Sequence, residues 1–463
     1  MVKTPGRKIP VLFGIFLIIP VFSIFSQKTY SLQDLVDSAS HYYPQLFQKQ
    51  ALLNGARASV TETRNAFLPL LRINDQLNIS TDNSLPGSYL SYGIVPSTSS
   101  GVRSTNNGDV ASGNIAILYG QYDLVDFGYR RSAIETAETT VNLYQADFDR
   151  DLYRVKIQAS RLYFSLLKSQ FRLSVDQQNV IRYENIYSII RALTLSGIKP
   201  GADSSLAMAE LSKSRILYNQ TLGQVKDLKQ QISFFTGIPG ENLFIDTTTL
   251  MYSRAKTELS VIPADSTTNP LLDYYISQKN VFLATEKLIS KSYLPKIALT
   301  AAGWARGSSI TYDDQYKDIP YGLGYQRYNY LAGVSFQYDL FNGIHKRDRL
   351  NVFRNETSAS DWALQQEKLA LHSAYLQAES AIHTTEANLL EIPVQLTAAE
   401  DTYNQKLAQY KAGLINLVDL TNAAFVFDRS QNDYLETMGD WFLAQLNIVS
   451  AAGGLDNFIK NIK

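Results

Sequence analysis

The chain has 463 residues (51.9 kDa), with 43 basic residues against 43 acidic ones and no cysteine. Zero net charge argues against nucleic acid as a partner, because that needs a basic stripe. Without a thiol there is no disulfide framework, cysteine nucleophile, Cys-type metal site or lipoprotein anchor.

At the N-terminus, Lys3, Arg7 and Lys8 precede an apolar stretch from Val11 to Phe25. This is the pattern of a cleaved signal peptide over residues 1–26, with Ser23 and Ser26 near the cut. The stretch is interrupted by Pro20 and falls short of the ~20 residues that span a bilayer as a helix. The mature chain is therefore expected in the periplasm, outside the cell, or in the outer membrane as strands.

Self-comparison divides the rest. Gln121-Tyr-Asp-Leu124 returns as Gln337-Tyr-Asp-Leu340, 216 residues later, and the same spacing relates Gly197 to Gly413, Asp203 to Asp419 and Tyr218 to Tyr434 without a gap. Upstream the spacing is 226, as in Leu68-Pro69 and Leu294-Pro295, so the first copy holds ten extra residues in an outer loop. The expected organisation is a first repeat at 27–240, a connector at 241–265, and a second repeat at 266–463.

Each repeat opens with a helix, about 31–66 and 270–292, that leads into a strand pair. Ile73, Leu77 and Ile79 alternate with Arg72, Asn74, Gln76 and Asn78, Asp75 being the exception on the apolar side. From Tyr330 to Leu340 the alternation is cleaner, with Tyr330, Ala332, Val334 and Phe336 on one face. A period of two predicts strands with one apolar face, which suits a membrane barrel or a half-buried soluble sheet. The Gly-, Ser- and Tyr-rich stretches 83–111 and 306–327 read as loops.

Residues 129–196 hold neither Pro nor Gly, which predicts a helix about 100 Å long at ~1.5 Å per residue. Its apolar residues recur every seven positions, as do Ile382, Leu389, Leu396, Tyr403 and Tyr410 in the second copy, where Pro393 is expected to distort the helix. Two staggered heptad series predict contact with two neighbours, as in a helical barrel. Gly197 and Gly413 suit left-handed C-terminal turns, and Asp203 and Asp419 suit N-caps of returning helices over 203–236 and 419–452. The fold class is mainly α with β. Four strands cannot close a barrel, and open edges are forbidden in lipid, so the chain must oligomerise; a homotrimer would supply twelve strands.

The mature chain resembles the TolC family of outer-membrane efflux proteins. The resemblance rests on the paired Leu-Pro before each first strand, the apolar strand ending in Tyr-Asp-Leu, and the tips Tyr410-Lys-Ala-Gly413 and Leu417-Val-Asp-Leu420. It implies a trimeric twelve-stranded barrel in outer-membrane lipid on a periplasmic α-helical tunnel. It also implies docking on a periplasmic adaptor and an inner-membrane transporter of RND, ABC or MFS class. The function implied is the passive exit duct of a tripartite efflux pump or type I secretion system, opened at its helix tips. A coiled-coil envelope protein without a pore is the alternative.

The resemblance places Asp419 in an acidic ring at the periplasmic entrance; a plain helix cap is the other reading. Asn422 stands where a second Asp is common, and Ile415 where a basic residue often tethers closed tips. Tyr410, Gly413, Asp203 and Gly197 complete the tip set, Asp203 as a cap first. The histidines His41, His345, His372 and His383 match no metal motif, and no P-loop, dinucleotide fingerprint or nucleophile elbow occurs. No catalytic residue, metal or cofactor is expected.

Overall fold

The computed structural model describes residues 29–81, 83, 104–245 and 269–462. The signal segment, residues 84–103 of the first loop and most of the connector lie outside the described residues.

Helix α1 (Leu32–Tyr42) starts on a capping box in which Ser31 and Asp34 satisfy each other's backbone N–H groups. Pro44 forces a break and opens α2 (Pro44–Asn65), which leads into β1 (Leu70–Ser80) and β2 (Ala111–Val125). Then come α3 (Tyr129–Leu195) and α4 (Gly201–Thr236). The same order returns as α5 (Pro270–Ser292), β3 (Lys296–Ser308), β4 (Arg327–Gln337), α6 (Asn342–Lys411) and α7 (Leu417–Ala452), closed by a short α8 (Leu455–Asn461). Pro393 does not end α6.

The strands form one antiparallel sheet in the order β1-β2-β3-β4. The register sets Leu71, Ile73, Leu118, Leu299, Tyr330, Val334 and Phe336 on one face, and Ile73 and Tyr330 are 79% and 91% exposed there. The opposite face carries Arg72, Asn74, Gln76, Gln121, Lys296, Thr300, Arg306 and Asn329. β4 stops at Gln337 although the sequence alternates on to Leu340, because its partner β3 begins at Lys296, opposite Gln337. Among the described residues the outer edges of β1 and β4 have no pairing partner.

Asp75 is accounted for by the outer loop. Tyr325 Oη donates to Asp75 Oδ2 at 2.9 Å, and Asn114 Nδ2 donates to the Leu323 carbonyl at 2.8 Å. Ser112 bonds the carbonyl of Ile319 in the same turn (Ile319–Leu323). The loop therefore folds back over the polar residues at the far end of the apolar face.

Below the sheet, α3 lies between α2 and α5, and further down between α4 and α7, while α6 packs on α5 and then α7. The main core sits where the repeats meet, with Phe164 stacked on Phe442 at 5.1 Å and Leu32, Leu35, Leu166 and Phe458 around them. Asn269, fully buried, joins the repeats' ends: its Nδ2 donates to the carbonyls of Ser450 and Ala451, and its Oδ1 accepts from Leu271 N. A second core near the tips gathers Ile186, Ile190, Leu211, Tyr403, Tyr410 and Leu420.

Candidate functional site: the helix tips and the sheet

Both helical hairpins reverse in the same way. Ile198 N bonds Leu193 O at 3.0 Å and Leu414 N bonds Gln409 O at 2.9 Å, which closes the last turn of α3 and of α6. This needs a left-handed residue, and Gly197 and Gly413 supply it at φ 72° and 77°.

The caps differ from the sequence expectation. Pro200 occupies the cap position of α4 without a side-chain bond, and at α7 the cap is Asn416, whose Oδ1 accepts from Asp419 N at 2.9 Å. Asp203 and Asp419 instead sit inside the first turns, where the helix dipole favours a carboxylate. Asn416 and Pro200 compete better because each takes the extended backbone a cap requires. The Asp419 carboxylate is thus released from capping; it is exposed, as is Asn422 one turn on, with Ile415 half-buried against the core.

Tyr410 joins the two tips. It is almost fully buried, and Lys199 Nζ of the first tip lies 5.0 Å above its ring centre. Burial, reinforced by the negative charge of Asp203, pushes its phenol pKa up, so the group stays neutral. Lys199 was not anticipated, since nothing local in the sequence marks it as a neighbour of Tyr410.

Further along the helices from the tips, a cluster unforeseen in the sequence binds the repeats together. Arg182 Nη1 donates to Asp428 Oδ1 at 2.6 Å, and Tyr183 Oη donates to Asp428 Oδ2 at 2.9 Å. The Arg182 guanidinium also lies 4.3 Å from the Phe427 ring centre and 5.2 Å from that of Tyr403. Burial nevertheless outweighs Arg182 and the Tyr183 hydrogen bond and raises the Asp428 pKa. A groove of about 240 Å³ opens beside it between α3, α4 and α7, lined by Asp176, Asn179, Glu210 and Phe425. Among the described residues no group of three His, Cys, Asp or Glu is placed to hold a metal.

An apolar outer band with aromatics at both ends is what a strand presents to lipid. Tyr328 and Phe336, eight residues apart, mark a band of about 26 Å along the strand at ~3.3 Å per residue. The polar face is basic, with Arg72, Lys296, Arg306 and Arg327 against Asp123. No described helix is long and apolar enough to cross a membrane. These features define an outer-membrane protein of mixed strand and coiled-coil build.

The outer membrane efflux protein profile matches residues 35–237 and 278–454, and the chain belongs to that family. Solved structures of similar fold include the CusC channel, at 13% identity, covering 97% of this chain and 99% of that one, with a TM-score of 0.76. The CmeC outer-membrane channel of Campylobacter jejuni matches at 15% identity, 98% and 97% coverage and a TM-score of 0.72. The outer-membrane protein VceC of Vibrio cholerae matches at 14% identity, 91% and 96% coverage and a TM-score of 0.72. No curated protein sequence matches the chain. The resemblance to the TolC family therefore holds, as does the mainly α fold with a four-stranded sheet.

Proposed function

We propose that the chain is one third of a passive outer-membrane exit duct, a homotrimer whose three sheets close a twelve-stranded barrel over a periplasmic helical tunnel. The observation that carries this reading is the sheet itself: an apolar outer band, a basic inner face and two unpaired edges. Unpaired N–H and C=O groups cannot face lipid, so β4 of one copy must pair with β1 of the next. The C. jejuni channel, covered nearly end to end, supports the same use. Export through a cleaved signal peptide would deliver the chain to the outer membrane. There the test is a band of trimer mass that resists SDS until heated; a purely monomeric protein in the periplasmic fraction would refute the reading.

In this reading an adaptor engages the tips and an inner-membrane transporter supplies cargo, as part of an efflux pump or a type I secretion system. Exposed Leu195, Ile198, Leu414 and Val418 offer the adaptor an apolar rim. Three Asp419 carboxylates around the axis would attract cations at the entrance. Asp419→Asn should therefore weaken block by a polyvalent cation added on the tip side several-fold. Unchanged block would leave Asp419 a helix-dipole residue only.

A further inference from the structure

The groove between α3, α4 and α7 holds hydrogen-bond acceptors that the described residues leave without donors. Asp176 and Asn179 stand three residues apart on one face of α3, 4% and 6% exposed, and both line the groove. Thr221 Oγ1 donates to Asp176 Oδ2 at 2.6 Å, and among the described residues Asp176 has no cationic partner. Asn179 Oδ1 is buried without a donor. From α7, Asn432 Nδ2 donates to the Asp428 carbonyl at 3.0 Å, which leaves its Oδ1, also buried, without one.

The other charges around this space are already matched. Arg182 pairs with Asp428 at 2.6 Å, Lys213 with Glu210 at 3.8 Å and Arg429 with Asp433 at 3.9 Å. Asp176 is the carboxylate left over, and its charge helps to raise the pKa of Asp428. A water donates to the two amides but leaves that buried charge uncompensated, which is costly. The duplication shows that the positions themselves do not demand polarity. At the spacing of 216, Asp176 and Asn432 correspond to Ile392 and Ile216, and Ile392 is packed away at 7% exposure. The counterpart of Asn179 is Gln395, whose Nε2 is satisfied by Asp433 Oδ2 at 3.2 Å. The second repeat therefore uses isoleucine where the first places acceptors around one space.

We propose that this groove binds a small organic cation with a primary ammonium head. An ammonium brings three N–H donors and one positive charge; the groove offers Asp176, Asn179 Oδ1 and Asn432 Oδ1, with one unmatched negative charge. At about 240 Å³ the space is smaller than the ~300–1,000 Å³ of a drug-sized pocket. Exposed Leu217 and Phe425 wall it, which suits a short apolar or aromatic body behind the ammonium. The site lies within one chain, so it stands apart from the duct reading. Bound there, the amine ties α3 to α7 and hence one helical hairpin to the other.

The probe is 2-phenylethylammonium, titrated calorimetrically into the intact protein in detergent while thermal unfolding is followed in parallel. Saturable binding is expected, with a melting temperature that climbs with amine concentration. Tetramethylammonium, equal in charge but without an N–H, should bind far more weakly. Asp176→Asn keeps an acceptor for Thr221 and should lose affinity about tenfold or more. A second variant covers the case in which that change disturbs folding. Asp176→Ile with Asn432→Ile imports the second repeat's own residues and should abolish binding with the fold intact. Absence of saturable binding in the millimolar range, equal binding of tetramethylammonium, or full affinity in either folded variant would each overturn the site.

Discussion

Ile73→Arg should abolish assembly of the outer-membrane form. Ile73 lies on the apolar face of the edge strand β1, level in register with Leu118 and Tyr330, and is 79% exposed within one chain. An arginine on the lipid face of a barrel costs up to about 2–4 kcal/mol at the midplane and less toward either interface, and the cost recurs in each copy of the trimer. The SDS-resistant trimer should disappear and the chain should accumulate in the periplasm. Asn74→Arg, one residue away on the polar face, should assemble nearly normally. If both variants assemble alike, the face assigned to lipid is wrong.

Arg182→Ala should be the most damaging single change in the helical region. It strips the cation from a carboxylate that is largely buried and removes the ring contacts with Phe427 and Tyr403. Breaking such a pair leaves an uncompensated charge, on the order of 3 kcal/mol per chain, at the low end because Asp428 keeps some solvent. The pH dependence has a defined sign. Asp428 already titrates above 3.8 in the fold, and without Arg182 it moves higher. The deficit is full above the folded pKa, where the carboxylate is charged in both states. It shrinks as pH falls through that value toward the unfolded one. Thermal unfolding of wild type and variant should therefore converge on acidification. Replacing both Arg182 and Asp428 with Leu should recover much of the loss at neutral pH. A deficit that grows in acid would contradict this assignment.

How much could be read from the sequence depends on how local each signal is. The left-handed turns were legible because Gly197 and Gly413 declare a backbone requirement in a single residue type. The strands were legible from their period, and the repeat from an ungapped series of matches. The caps were not, because Asp, Asn and an extended Pro all satisfy a helix start locally, and only the fold shows Asn416 taking the bond. Asp75 broke the alternation for a reason 250 residues away, at Tyr325. The Arg182–Asp428 pair joins residues 246 apart, and Lys199 meets Tyr410 across two hairpins. Such pairings depend on the register of long helices, which a heptad pattern leaves free to slip by whole turns.

Whether the chain forms a pore is tested most directly by single-channel recording of purified trimer in a planar bilayer. Discrete, long-lived conductance steps are expected, with polyvalent cations on the tip side reducing them and Asp419→Asn relieving that block. A folded, membrane-inserted trimer that passes no current across the applied voltage range would contradict the duct, and would favour a coiled-coil envelope protein without a channel.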